Sequence, residues 1–157
     1  MQGMMKTITA MLAIAAAAGS ANACAQAADP GRTEFSPAKG VQAVLTVKGQ
    51  EVQLNLDGEG MQATETIAVE TEKKLRIKVE DYNFDGYKDF AISHTDDGMG
   101  TYEISQVYVY SPKEKKFVAL APRCGDEFVN LAVNKAKKTL TNSYIVDNKY
   151  RTCQAKY

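Results

Sequence analysis

Asp81, Asn83, Asp85 and Asp89 place side-chain oxygens at positions 1, 3, 5 and 9 of the run Asp81-Tyr82-Asn83-Phe84-Asp85-Gly86-Tyr87-Lys88-Asp89. Gly86 stands at position 6. This spacing lets one tight loop wrap a hard cation. Ca²⁺ takes about six to eight oxygens at about 2.3–2.6 Å, and alternate residues of a curled loop point inward. Glycine permits a sharp turn that a Cβ obstructs. Tyr87, at position 7, offers its backbone carbonyl to such a site. Without a cation, three carboxylates and an amide oxygen crowd together, and the like charges repel. The sequence therefore predicts a Ca²⁺ site built from Asp81, Asn83, Asp85, Tyr87 and Asp89. An Asx-rich surface turn that binds nothing is the alternative.

The flanks decide what holds this loop. An EF-hand needs a bidentate Glu at position 12, and Ile92 stands there. Leu75, Ile77 and Val79 alternate with Arg76, Lys78 and Glu80, which is strand periodicity. Phe90 and Ile92 then alternate with Ala91 and Ser93. The arrangement is strand–loop–strand. Further ligands are expected from water, from Glu80, or from Asp96 and Asp97 in the next loop.

The rest of the chain keeps the same period. Val44–Val47 and the Val52, Leu54, Leu56 series flank Lys48-Gly49-Gln50-Glu51, a hairpin signal. Asp57-Gly58-Glu59-Gly60 reads as a turn. Thr64–Val69 and Leu75–Val79 are expected to pair with each other. Glu103–Tyr110 is a long strand with Val107 and Val109 on one face and Gln106, Tyr108 and Tyr110 on the other. Ser111–Lys115 turns the chain into Phe117–Leu120. Leu131–Val133 and Leu140–Val146 flank a turn at 134–137, and Asp147-Asn148 turns the chain again. The fold class is all-β: antiparallel sheets in a sandwich or propeller-like arrangement, with one Ca²⁺ loop between strands. The Lys-rich turns read as solvated edges that guard against aggregation.

The first residues read as a secretory leader, 1–23. Lys6 gives the positive start, and the apolar run from Ile8 to Ala18 is too short to span a bilayer. Cleavage fits after Ala23 or after Ala25. Residues 24–38 carry Pro and Gly without an apolar period and read as a flexible tether. Residues 39–157 then make a single β domain. Three cysteines are present, Cys24, Cys124 and Cys153, and an odd thiol in an oxidising compartment needs an explanation. Cleavage after Ala25 removes Cys24. Alternatively Cys24 is the lipidated first residue of an outer-membrane lipoprotein, since Ala21-Asn22-Ala23-Cys24 resembles a lipoprotein cleavage box. Either way Cys124 and Cys153 remain. A bridge between them closes a loop of about 30 residues; two separate buried thiols are the alternative. Both forms place the protein in the periplasm, touching a membrane only through a lipid anchor.

Charge and catalytic motifs exclude more than they assign. The chain has 19 Lys and Arg against 19 Asp and Glu, which leaves no electrostatic footprint for nucleic acid. His94 is the only histidine, and neither Gly-x-Ser-x-Gly nor His-Glu-x-x-His occurs. Asp126-Glu127 reads as a solvated turn rather than a catalytic pair. The chain is expected not to be an enzyme.

Val79–Ala91 resembles the calcium loop of FG-GAP repeats. Gly98-Met99-Gly100-Thr101-Tyr102, Val107-Tyr108-Val109-Tyr110-Ser111-Pro112-Lys113, Phe117 and Lys138-Thr139-Leu140-Thr141-Asn142-Ser143 follow it in order. Together, over about residues 72–157, they resemble a family of small bacterial periplasmic proteins that includes lysozyme inhibitors and immunity proteins against secreted peptidoglycan hydrolases. The resemblance implies inhibition by occlusion of a lysozyme-like hydrolase, with a loop entering the enzyme cleft. The implied loop carries His94, Thr95, Gly98, Met99, Gly100, Thr101 and Tyr102. Asp96 and Asp97 conflict with the carboxylates of a glycosidase cleft, so they are expected to face the calcium or lie at the loop base. Calcium is then structural, and Asp85→Ala is expected to loosen metal binding and inhibition together. A calcium-stabilised carbohydrate-binding, adhesion or structural envelope module is the competing reading, with Tyr102, Tyr108 and Tyr110 as a stacking face.

Overall fold

The computed structural model describes residues 31–58 and 60–157. The leader, its cleavage sites and Cys24 lie outside the described residues. Within them the chain is all-β, in three antiparallel sheets. The first sheet has the order β1-β2-β3-β4, with β1 at Arg32–Phe35, β2 at Val41–Lys48, β3 at Glu51–Gly58 and β4 at Met61–Ala68. The second has the order β5-β6-β7-β8, with β5 at Arg76–Glu80, β6 at Asp89–Thr95, β7 at Glu103–Ser111 and β8 at Lys116–Leu120. The two-residue strand β9, Phe128–Val129, also pairs with β7. The third sheet joins β10 at Ala132–Asn134, β11 at Thr139–Val146 and β12 at Lys149–Lys156.

Turn chemistry fixes the hairpins. Gly49 takes φ 63° at the first of two turn residues between β2 and β3. Primed turns need that left-handed backbone to match strand twist. Asp147 and Asn148 do the same between β11 and β12, at φ 51° and 56°. Asp and Asn tolerate this region better than most residues.

The second sheet is the middle layer, and its period-2 alternation feeds two cores. Phe90 and Ile92 of β6, with Tyr110 and Phe117, pack against Ala43, Leu45, Val52, Leu54 and Leu56 of the first sheet. Ala91 and Val107 face the other way and pack with Tyr82, Phe128 and Leu140. β6 is therefore buried on both faces from Asp89 to His94. Both ends of this central strand lead into the loops that carry the candidate sites.

Two expectations are corrected. The stretch read as a tether includes β1, whose register pairs Phe35 with Ala43. Phe35 packs edge-on against Phe117 with ring centroids 6.0 Å apart, a long-range contact that gives no local period. β4 and β5 do not pair with each other; β4 pairs with β3 and β5 with β6. Val69 and Leu75 are both buried in the first core, so the segment between them crosses from sheet to sheet instead of reversing.

Cys124 and Cys153 form a disulfide across 29 residues, tying the segment after β8 to β12. Asn142 backs it, its Nδ2 donating to the carbonyls of Cys124 at 2.7 Å and Glu127 at 2.8 Å. Replacing both cysteines with serine is expected to remove about 3–4 kcal/mol of stability by freeing the unfolded loop. Urea unfolding measures this directly, and a loss below about 1 kcal/mol would contradict the loop-entropy account.

Candidate functional site

The loop between β5 and β6 folds its oxygens onto its own backbone. The Asp85 amide donates to Asp81 Oδ1 and to Asn83 Oδ1, each at 3.2 Å. Gly86 N–H donates to Asp81 Oδ2 at 2.9 Å, and Tyr87 N–H donates to Asp85 Oδ1 at 2.9 Å. Asn83 Nδ2 donates to Asp85 Oδ2 at 2.7 Å. Gly86 has φ 92°, the backbone that its position in the run requires. Between the polar positions, the aromatic rings anchor the loop. Tyr82 and Phe84 pack on the second core and Tyr87 on the first.

Asp89 has a different task. It is 0% exposed. Its Oδ2 accepts from Tyr82 N–H at 2.8 Å and its Oδ1 from Tyr110 N–H at 2.9 Å. One carboxylate thus ties the loop's first turn to β7. Burial pushes its pKa up to about 6, and the two amides work against that rise.

The donor set fits Ca²⁺: oxygens only, with Asp81 and Asn83 converging on one amide. Among the described residues, however, no three His, Cys, Asp or Glu side chains converge as a metal cluster. Asp89 faces the Tyr82 and Tyr110 amides, leaving Asp81, Asp85 and the Asn83 amide as the side-chain donors of the loop. Glu80 is engaged elsewhere, paired with Lys135 at 2.7 Å. Asp96 and Asp97 lie past the other end of β6, about 20 Å along a seven-residue strand. Neither supplies the further ligands that the sequence left open.

The second loop, 96–102, is built around Asp96. Its Oδ1 accepts from the amides of Gly98 at 3.0 Å and Gly100 at 3.2 Å, and its Oδ2 from Tyr102 N–H at 2.6 Å. Asp96 N–H donates to the Tyr102 carbonyl at 2.9 Å and closes the loop. Asp97 accepts from Thr71 Oγ1 at 2.8 Å and Glu72 N–H at 3.1 Å. Both acids are at the loop base, the second of the two positions expected for them, and neither faces the 81–89 loop.

Met99 projects from the tip, 92% exposed. Gly98, Gly100 and Thr101 flank it and are exposed too. The structure sets the other three expected residues back from the tip. His94 is a buried residue of β6, its Nδ1 2.8 Å from the Thr95 carbonyl. Thr95 closes the same strand. Tyr102 is half-buried, and its hydroxyl accepts from Ile145 N–H at 3.1 Å. The tip is 98–101.

No family model, curated protein or solved structure matches the chain.

A surface cleft of about 890 Å³ lies beside the second loop. Glu70, Asp96, Asp97, Asp126 and Glu127 line it, with no Lys or Arg among the described residues that do. Tyr102 and Tyr108 border this cleft, but Tyr110 does not share an open face with them. Tyr110 is buried against Phe117, and Tyr108 stacks on Phe90 with ring centroids 5.0 Å apart.

The Asp96 network makes loop order pH-dependent. The Tyr102 amide, chiefly, holds this carboxyl below its ordinary 3.8. A lowered pKa means that the ionised form is favoured by folding. Its contribution is complete above 3.8 and fades as pH falls through the folded value. The amide resonances of Gly98, Gly100 and Tyr102 are expected to shift together below pH 3.8, following one titration. Independent shifts, or shifts near neutral pH, would contradict the shared carboxylate.

Proposed function

We propose that this chain is a non-catalytic, calcium-binding periplasmic inhibitor, of the immunity type, of a lysozyme-like peptidoglycan hydrolase. The loop tip 98–101 enters the enzyme cleft. One observation carries the reading: Met99 stands almost fully exposed on a loop already ordered by a single carboxylate. An exposed apolar side chain on a mobile loop gains little on binding, because ordering the loop offsets the contact. On an ordered loop that cost has been met during folding. The tip also carries no acid, which suits a cleft lined by paired carboxylates. A structural disulfide suits an oxidising compartment.

Ca²⁺ in this proposal is held by Asp81, Asn83, Asp85 and the Tyr87 carbonyl, with Asp89 behind them. It neutralises the clustered carboxylates and stabilises the turn into β6. Because the two loops occupy opposite ends of β6, and Asp96 orders the tip locally, inhibition does not depend on the metal once the chain is folded. In place of the joint loosening of metal binding and inhibition that the resemblance implied, Asp85→Ala is therefore expected to lower calcium affinity and melting temperature while leaving inhibition intact in folded protein. At Ca²⁺ 100-fold above Kd the wild-type gain is about 2.7 kcal/mol. Calorimetric titration with Ca²⁺, followed by melts with metal and with chelator, checks this part. No heat and no shift would remove calcium from the account without touching the inhibitor reading.

A further inference from the structure

Met99, Tyr150, Ile145 and Val146 are the most exposed large apolar side chains among the described residues, at 92%, 70%, 50% and 45%. They come from two separate segments, the loop 96–102 and the tip of the β11–β12 hairpin. Tyr102 joins the segments: its hydroxyl accepts from Ile145 N–H at 3.1 Å and lies 3.5 Å from the Ile145 carbonyl. Asn130 straps the hairpin lower down. Its Nδ2 donates to the Ser143 carbonyl at 2.9 Å, and its Oδ1 accepts from Glu103 N–H at 2.9 Å.

Strand lengths explain why this tip is bare. β10 pairs only with Thr139–Thr141. Beyond that, β11 and β12 run on as a two-stranded ribbon, with Ile145 opposite Tyr150. Such a ribbon is marginal in water by itself. Here the Tyr102 and Asn130 bonds tie it to the root of β7. The acidic cleft continues the same surface, since Asp96, Tyr102 and Ile145 all border it. Lys149 and Arg151 stand on the ribbon, and neither lines the cleft.

We propose that the loop tip and the hairpin tip form one docking surface for a basic protein. Met99 provides the central contact, and Ile145 and Tyr150, directly opposite each other on the ribbon and so on one face of it, extend it. The cleft with Glu70, Asp97, Asp126 and Glu127 attracts cationic side chains at its margin. This rests on the inhibitor reading and narrows it: the hydrolase is one whose cleft is rimmed by lysine and arginine.

The test uses the mature protein and a panel of lysozyme-type hydrolases of basic and acidic net charge, with binding followed by surface plasmon resonance. Binding is expected only to basic members. Ile145→Asp and Tyr150→Asp are each expected to weaken it about tenfold or more, with unchanged melting temperatures. Association is expected to slow as salt rises, through screening of the acidic margin. Hairpin variants that bind a hydrolase as tightly as wild type would overturn the inference and leave the inhibitor reading standing. Preference for acidic members, or salt-independent association, would overturn the charge argument. Binding to none of the panel would overturn the inference and the inhibitor reading together. Wild-type dimers that Tyr150→Asp converts to monomers would assign the surface to a second copy of the chain instead.

Discussion

Asp89→Ala is expected to lower the unfolding free energy by about 2–5 kcal/mol, the largest stability effect of any single substitution considered for this domain. The side chain is fully buried and accepts from two backbone amides on different elements, Tyr82 at the start of the loop and Tyr110 in β7. Alanine leaves both donors without a partner in a site with no room exposed to solvent. Each stranded buried donor costs about 1–3 kcal/mol. Relief of the burial cost that raises this carboxyl opposes the loss. The loss wins because two donors are orphaned and one charge is removed. Asp89→Asn is the informative partner: its amide oxygen serves one N–H, while its NH₂ faces the other. An intermediate loss is expected. Chemical denaturation with chelator present isolates this effect from metal binding, and an alanine variant within about 0.5 kcal/mol of wild type would contradict it.

Met99→Asp is expected to weaken inhibition about 30-fold or more while leaving the fold unchanged. The two halves of that expectation come from the same fact. Met99 is 92% exposed, so its replacement strands no core contact. Its place at the tip makes it the group that enters a cleft first and is desolvated most completely. A carboxylate there would meet the carboxylates of a glycosidase cleft in a low-dielectric site, where like charges repel strongly. Met99→Leu should keep most of the inhibition, since volume and apolarity are close. Equal inhibition by the aspartate variant and wild type would show that the tip does not enter the cleft.

Local signals in the sequence carried much of this architecture, and long-range ones carried little. Gly49 and the Asp147-Asn148 pair mark their turns because few residues accept positive φ. The alternation around Phe90 and Ile92 marks β6. The oxygen spacing of 81–89 identifies a loop whose side chains do turn inward. What could not be read depends on partners distant in sequence. β1 is held by pairing with β2 and by Phe35 against Phe117. Two-sided burial of β6 leaves Ser93 and His94 inside, although alternation alone puts one of its faces in water. Tyr102 reads as a free interface residue until Ile145 is found at its hydroxyl. The exposed hairpin tip follows from the shortness of β10, which no residue of β11 or β12 announces.

The most direct test is a peptidoglycan-lysis assay with the mature domain titrated against a panel of lysozyme-type hydrolases, in Ca²⁺ and in chelator at a temperature where both forms are folded. Stoichiometric inhibition of at least one basic hydrolase is expected, retained in chelator and strongly weakened by Met99→Asp. Full lysis by every hydrolase in the presence of folded wild-type protein would contradict it.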